Sequence, residues 1–311
     1  KMQTLGFAGV AKNTGKTTTA LAVLHLAGQD GLRLCLTSIG YDGEERDHVT
    51  GLPKPRYALP GGCLVASAQR CLQASPAGLR ILHTTDIQTI LGPIQIAEVI
   101  HPGLVLIAGP NQQTQIEAVL AEFAERGGQL GLLDGALNRL MPLAAADGLL
   151  ISTGAAFDED PTRLLEHAAA FTALFRLPTL AEKRPVSLPH GSLLGAEQAA
   201  QLGQQLRSGL DWVSLPGAAA PQHCLNAARQ ATRPVTWCFG NPLRMMAAGD
   251  PRDWQAFINL VQNAQGGRVG VAQPIPLYAL TINPFYPRYL AAAGRYEPAY
   301  LPAANLLAQA Q

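Results

Sequence analysis

The chain has 311 residues, enough for one large α/β unit or two domains, and its composition, 48% apolar and 14% charged, is that of a globular protein rather than a disordered or fibrous one. A formal charge of +1 with no long basic run lacks the electrostatic footprint that nucleic acid or an anionic membrane surface requires, so neither is expected as a partner. There is no secretory signal pattern and no apolar run long enough to span a bilayer, the first apolar segment being broken by Lys12, Asn13 and Lys16; a cytoplasmic location is expected.

The segment Gln3 to Ala8 reads as a short buried strand. Gly9 to Thr17 (G-V-A-K-N-T-G-K-T) then leads into a helix over Thr17 to Ala27 that Gly28 closes. Strand, glycine-rich loop and helix in this order form a phosphate cradle. Glycine lets backbone N–H groups approach an anion closely, and the helix start adds the positive end of its dipole. Gly9 and Gly15 supply the permissive positions, Lys16 would reach the β- and γ-phosphates, and the Thr17 hydroxyl would be a ligand of Mg²⁺. The nucleotide-binding set is Gly9, Asn13, Thr14, Gly15, Lys16, Thr17 and Thr18, with ATP as the expected nucleotide; no N-K-x-D segment is present to read guanine as in many GTP-binding proteins, and GTP stays the alternative. The competing reading is a Gly-Lys-Thr helix start without a ligand.

Leu32 to Ile39 is a second apolar run, and it ends in Gly40-Tyr41-Asp42-Gly43-Glu44-Glu45. Carboxylates just beyond the carboxyl end of a strand sit where ligands collect in open α/β sheets. Asp42 is therefore a candidate metal contact or water-positioning residue, followed by Glu44 and Glu45; a solvated acidic turn is the alternative. Gln129 to Leu133 is another apolar strand, and Asp134-Gly135 at its end fits the acidic residue that supports Mg²⁺ in nucleotide hydrolases, or else a plain turn. Leu104 to Ala108 and Gly148 to Ile151 end in Gly109-Pro110-Asn111 and Ser152-Thr153-Gly154, small and polar ends that suit a crevice. Asn138 and the loop after Ile151 are candidates for contacting the base.

Helical segments over Gly62 to Gln73, Gln115 to Arg126 and Pro161 to Phe175 alternate with these strands. The fold class predicted is α/β, a P-loop nucleotide-binding domain over 1–182 whose mainly parallel sheet is covered by helices on both faces. Lys183 to Ser192, with two prolines and a glycine, reads as a linker into a smaller α/β domain over 183–311. In that domain Leu194 to Arg207 and Gln222 to Arg229 read as helices, and Trp212 to Leu215 and Pro234 to Phe239 as strands. A last strand, Ile275 to Ile282, runs into Asn283-Pro284-Phe285-Tyr286-Pro287, where two prolines argue against further ladder pairing. The five cysteines form no C-x-x-C pair and read as structural thiols, and the histidines, His190 and His223 among them, show no metal spacing.

Five rather than four residues separate Gly9 from Gly15, a spacing similar to that of dethiobiotin synthetase and its relatives, and that likeness offers Lys12 as a further phosphate-facing cation. More of the chain resembles the P-loop subunit of the lysine 5,6-aminomutase reactivase. The residues that carry this are G-V-A-K-N-T-G-K-T-T at Gly9 to Thr18, T-S-I-G-Y-D-G-E-E at Thr37 to Glu45, T-G-L-P-K-P-R at Thr50 to Arg56, L-L-D-G-A-L-N-R at Leu132 to Arg139, and T-I-N-P-F at Thr281 to Phe285. The resemblance implies an ATP-dependent chaperone that opens an inactivated adenosylcobalamin-dependent aminomutase to exchange damaged cobalamin. Its partners would be the mutase and a second reactivase subunit, and related P-loop proteins also pair as homodimers. Asn138-Arg139 departs from the family pattern, where an acidic residue is expected before the arginine.

Three functions share this site. In the reactivase, hydrolysis would drive a conformational cycle with the Asp42 loop as its switch. A dethiobiotin-synthetase-like ligase would need a substrate pocket near Lys12, Lys16 and Asp42, and a regulatory protein would bind nucleotide without turnover. Hydrolysis is the favoured expectation, with Lys16 stabilising charge on the transferred phosphoryl group, Thr17 and Asp134 holding the metal, and Asp42 positioning water.

Overall fold

The computed structural model describes residues 2–40, 56–135, 141–180, 194–290 and 295–300. Strand β1 (Gln3–Gly9) is followed by helix α1 (Lys16–Gln29), which runs through Gly28 instead of stopping there. Gly31, at φ 71°, is the left-handed residue that ends it. The Gly31 N–H donates to the Gly28 carbonyl at 3.1 Å and the Leu32 N–H to the Ala27 carbonyl at 3.2 Å, the paired bonds of a Schellman cap. Next come β2 (Leu34–Ser38), β3 (Arg56–Leu59), β4 (Leu64–Ala68) and the short α2 (Gln69–Gln73). The helix expected over Gly62 to Gln73 is thus confined to Gln69–Gln73, and Leu64–Ala68 before it form a strand. Leu64 to Ala68 are buried on both sides, and a fully buried run carries no periodicity to separate the two states.

Strands β5 (Gly78–Thr89) and β6 (Gly92–His101) form a long antiparallel hairpin that the alternation of apolar runs did not announce. Then follow β7 (Gly103–Leu106), α3 (Gln113–Glu125), β8 (Leu130–Asp134), a 3₁₀ turn at Met141–Ala145 and β9 (Gly148–Gly154). The next elements are α4 (Pro161–Phe175), α5 (Ala196–Arg207), β10 (Trp212–Leu215), α6 (Pro221–Ala228), β11 (Thr236–Phe239), α7 (Pro242–Ala248), α8 (Pro251–Asn259) and β12 (Arg268–Val271). Strands β13 (Leu277–Asn283), β14 (Phe285–Leu290) and β15 (Arg295–Tyr300) come last. Pairing does continue beyond Pro284, because β14 and β15 make a two-stranded sheet of their own. In such a ribbon both strands are edges, where the N–H that proline lacks is not needed.

The chain divides into two units, Lys1–Phe157 with Thr281–Pro298 and Asp158–Leu280 with Ala299–Gln311. The boundary expected after 182 therefore falls elsewhere: α4 packs on α8, its Leu174 sharing a core with Trp254, Phe257 and Ile258, and the chain returns to the first unit at Thr281. The linker expected over Lys183 to Ser192 lies outside the described residues, as do Asn138, Arg139 and His190.

In the first unit an eight-stranded sheet runs in the order β13-β9-β1-β8-β2-β4-β6-β5. Strands β9, β1, β8, β2 and β4 are mutually parallel, while β6 and β5 add an antiparallel edge. One face, with Phe7, Leu36 and Leu132, packs against Ala20, Leu24 and Ala27 of α1 and against the small antiparallel pair β3–β7. The other face meets α3 and the 3₁₀ turn, where Gly6 and Gly131 leave room for Leu143 and Leu120. In the second unit β10, β11 and β12 form a parallel sheet. Its core is aromatic, with Phe257 set edge-on to Trp237, Phe239 and Trp254 at ring separations of 5.0 to 5.8 Å. All five cysteines are buried free thiols. Burial pushes Cys35 up to about 12 and Cys63 and Cys71 up to about 11, so none of these three is a nucleophile near neutral pH. Among the described residues no helix is long and apolar enough to cross a membrane.

Candidate functional site

Strands β1 and β8 are adjacent and parallel, with Phe7 opposite Asp134, so the loop after β1 and the end of β8 share one edge of the sheet. On its other side Asp134 stands opposite Ser38 of β2. This places the Asp134 carboxylate, 3% exposed, between two strand ends and beside the start of α1, and the Lys16 ammonium pairs with its Oδ1. Sequence reasoning expected both residues at the site, and the structure brings them together.

The loop is closed on itself by small groups. Thr14 is buried and its hydroxyl donates to the Ala11 carbonyl at 2.9 Å. A Cβ on Gly9 would stand 2.7 Å from the Thr14 hydroxyl oxygen, which leaves only glycine at that position while Thr14 points inward. The Val10 N–H donates to the Ser152 carbonyl at 2.9 Å and so ties the loop to the end of β9. Asn13 at φ 61° and Gly15 at φ 89° are left-handed, the backbone ingredient of the concave nests that bind anions. No side chain caps α1 and no acidic residue lies in its first turn. Its first N–H groups and its dipole are thus not answered by a side-chain cap. Lys12, Asn13 and Thr18 are exposed, whereas Lys16 and Thr17 are partly enclosed. Asp42, Glu44 and Glu45 lie outside the described residues.

A scan against protein-family models matches none, and a search of curated proteins finds no match. One solved structure is similar. It is described as the structure of pnob8 ParA, with 15% identity, 67% of this chain and 72% of that chain covered, and a TM-score of 0.30. A likeness that loose carries no argument about the site, and the functional reading rests on the residues themselves.

Three features around the loop add to the sequence reading, which places only Ser152 among their hydroxyls at a crevice. The first is a cluster of hydroxyls: Thr281 donates to the Ser152 hydroxyl oxygen at 2.9 Å, and Thr19 lies 3.1 Å from Thr281 and 3.3 Å from Ser152. The second is Asn283, whose amide donates to the Asn13 carbonyl at 3.1 Å and whose own carbonyl accepts from the Ala155 N–H at 2.9 Å. A Cβ on Gly154 would stand 2.1 Å from that Asn283 carbonyl oxygen, so the return strand can lie this close only against glycine. The third is Tyr57, fully buried, with a hydroxyl that makes no hydrogen bond of normal geometry. Asp134 and Thr17 are near enough to act on its proton; burial first, and then the charge of Asp134, hold the phenol well above its usual range. The segment T-I-N-P-F pointed at Asn283 without giving it a role, and nothing in spacing or periodicity singles out Tyr57.

Proposed function

We propose that the chain binds ATP with Mg²⁺ at the loop Gly9 to Thr17 and hydrolyses it. One observation carries this reading: a lysine of the loop and a buried carboxylate from the neighbouring parallel strand meet at a helix start that no side chain caps. The residues present suit the ligand. Gly9 lets Thr14 fold inward where a Cβ would press on its hydroxyl, and the α1 amides offer donors to an anion. Gly9, Asn13, Thr14, Gly15, Lys16, Thr17 and Thr18 are the binding set. Thr17 and Asp134 would hold the metal, since Mg²⁺ needs only one or two protein oxygens beside phosphates and water.

In catalysis Lys16 leaves Asp134 for the phosphates and spreads their charge, while the fixed backbone donors hold the phosphoryl group in place. Asp42 is assigned to the attacking water on its place in the sequence alone. When bound, Mg²⁺ neutralises charge on the phosphate oxygens. For the cellular role we keep the reactivase reading, with an adenosylcobalamin-dependent aminomutase as client and a second reactivase subunit as partner. Its support is that three of the five segments carrying that resemblance supply the residues around the loop: Lys16, Asp134 and Asn283. The test is phosphate release from MgATP with and without an inactivated aminomutase. Turnover lost in EDTA and raised by the client is the expected result. Absence of ATP binding by calorimetry overturns the nucleotide assignment, and turnover indifferent to the client removes the chaperone role alone.

A further inference from the structure

Tyr57 stands on β3, opposite Val105 of β7, and its ring is packed in the apolar core that includes Ala20 and Leu24 of α1. From there the hydroxyl reaches the polar edge of that core beside Asp134 and Thr17, the two residues given above to the metal. A phenol at 0% exposure with no hydrogen bond of normal geometry is unusual, because an unmade bond on a buried donor costs about 1–3 kcal/mol. A core needing only the ring would be filled as well by phenylalanine. Asp134 and Thr17 are the partners within its reach, and a hydrogen bond of normal geometry to either needs the site to rearrange.

The Lys16–Asp134 pair supplies that rearrangement. Lys16 takes Oδ1 of the carboxylate, leaving Oδ2 for another donor. Once Lys16 turns to a phosphate, Asp134 is an almost wholly buried anion deprived of its cation, an arrangement that is strongly unfavourable unless new partners arrive. We infer that Tyr57 is the positioning residue that takes over: its hydroxyl donates to the Asp134 carboxylate when Lys16 engages the nucleotide, and so orients Asp134 and Thr17 toward the divalent cation. The proton stays on the phenol throughout, and no bond beyond this hydrogen bond is made or broken. The inference rests on the nucleotide reading of the site.

The experiment uses the full chain and its Tyr57→Phe variant, which removes one oxygen and keeps the ring. Mn²⁺ affinity in the presence of a non-hydrolysable ATP analogue is read by the loss of the free-ion paramagnetic signal, and analogue affinity in EDTA by calorimetry. The expected result is Mn²⁺ binding weakened about tenfold or more, the usual effect of removing a group that orients a metal ligand. Analogue affinity without metal and the melting temperature of the free protein should hold or rise. A combined Tyr57→Phe, Asp134→Asn variant should bind Mn²⁺ no worse than Asp134→Asn alone, because the hydroxyl acts through that carboxylate. Equal Mn²⁺ affinity in wild type and Tyr57→Phe, with analogue bound to both, overturns the role of Tyr57 and leaves the nucleotide site standing. A wild-type chain that binds no analogue overturns both. Additive losses in the combined variant also overturn the inference.

Discussion

Each unit has a parallel strand flanked on both sides that leads into a helix, and the two junctions are finished in opposite ways. After β11, Gly240 and Asn241 turn directly into α7; Asn241 is 3% exposed and its side-chain oxygen accepts from the Arg244 N–H at 2.9 Å, with Pro242 at the helix start. After β1, the chain instead makes a longer loop with two left-handed residues, and α1 begins at a glycine with no side-chain cap. Both junctions face the same physical problem, unsatisfied N–H groups at a helix start. The β11–α7 junction answers it from within the chain. The β1–α1 junction carries no side-chain cap, and there the proposed nucleotide would supply the missing negative partner.

The largest expected effect tests that assignment directly. Lys16→Ala should lower ATP turnover by at least about 100-fold, the scale seen when a charge-stabilising donor is removed, with an unchanged circular dichroism spectrum. Turnover close to wild type would break the contrast between the junctions. A paired substitution sharpens it. Gly9→Ala drives a Cβ to 2.7 Å from the Thr14 hydroxyl oxygen, and Gly240→Ala drives one to 2.8 Å from the Pro216 carbonyl oxygen. Overpacking of this kind costs about 1–3 kcal/mol. At Gly9 that cost should appear as roughly tenfold or more weaker nucleotide binding in calorimetry. At Gly240 it should appear as a lower melting temperature with nucleotide affinity intact.

Asn241→Ala comes next, with about 1 kcal/mol lost in denaturant unfolding of the second unit and none in nucleotide binding. The smallest effect concerns His167 of α4, where burial holds the imidazole below its usual range against the opposing charges of Asp250 and Asp158. Asp250 also caps α8, accepting from the Arg252 N–H at 2.8 Å. Below about pH 6.5 the unfolded chain takes up a proton at this residue that the folded chain resists. Stability in the second unit is therefore present above that pH and falls as pH drops below it. Melting temperatures at pH 8 and pH 6 should differ more for wild type than for His167→Gln; equal differences would count against a buried neutral imidazole.

The β1–α1 junction was legible in the sequence because local rules govern it: a short apolar strand, glycines at permissive spacing and a helix run declare themselves within a few dozen residues. Asp134 was legible for the same reason, as a carboxylate at a strand end. The long β5–β6 hairpin was not, since β5 has no buried residue and β6 carries an unbroken buried run from Ile94 to Ala97, so neither shows the clean alternation of a half-buried strand. The β4 segment read as helix because Leu64 to Ala68 are buried on both faces. The contributions of Tyr57, Thr281 and Asn283 are long-range. Tyr57 and Thr17 are forty positions apart in the sequence, and Asn13 and Asn283 are separated by 270, so no window along the chain contains both partners.

The close passage of Asn283 over Gly154 also sets an order of events during synthesis. Because the first unit takes Thr281 and Asn283 from beyond Asp158–Leu280 of the second, its sheet lacks an edge strand, and its loop lacks the Asn283 contact, until those residues emerge from the ribosome. Most of the second unit, Asp158–Leu280, is translated before Thr281, and domains commonly fold as units while the chain grows. A strand translated after the bulk of the second unit is thus one of the pieces that fasten the loop after β1, so that loop gains its Asn283 contact only once the intervening residues have been made.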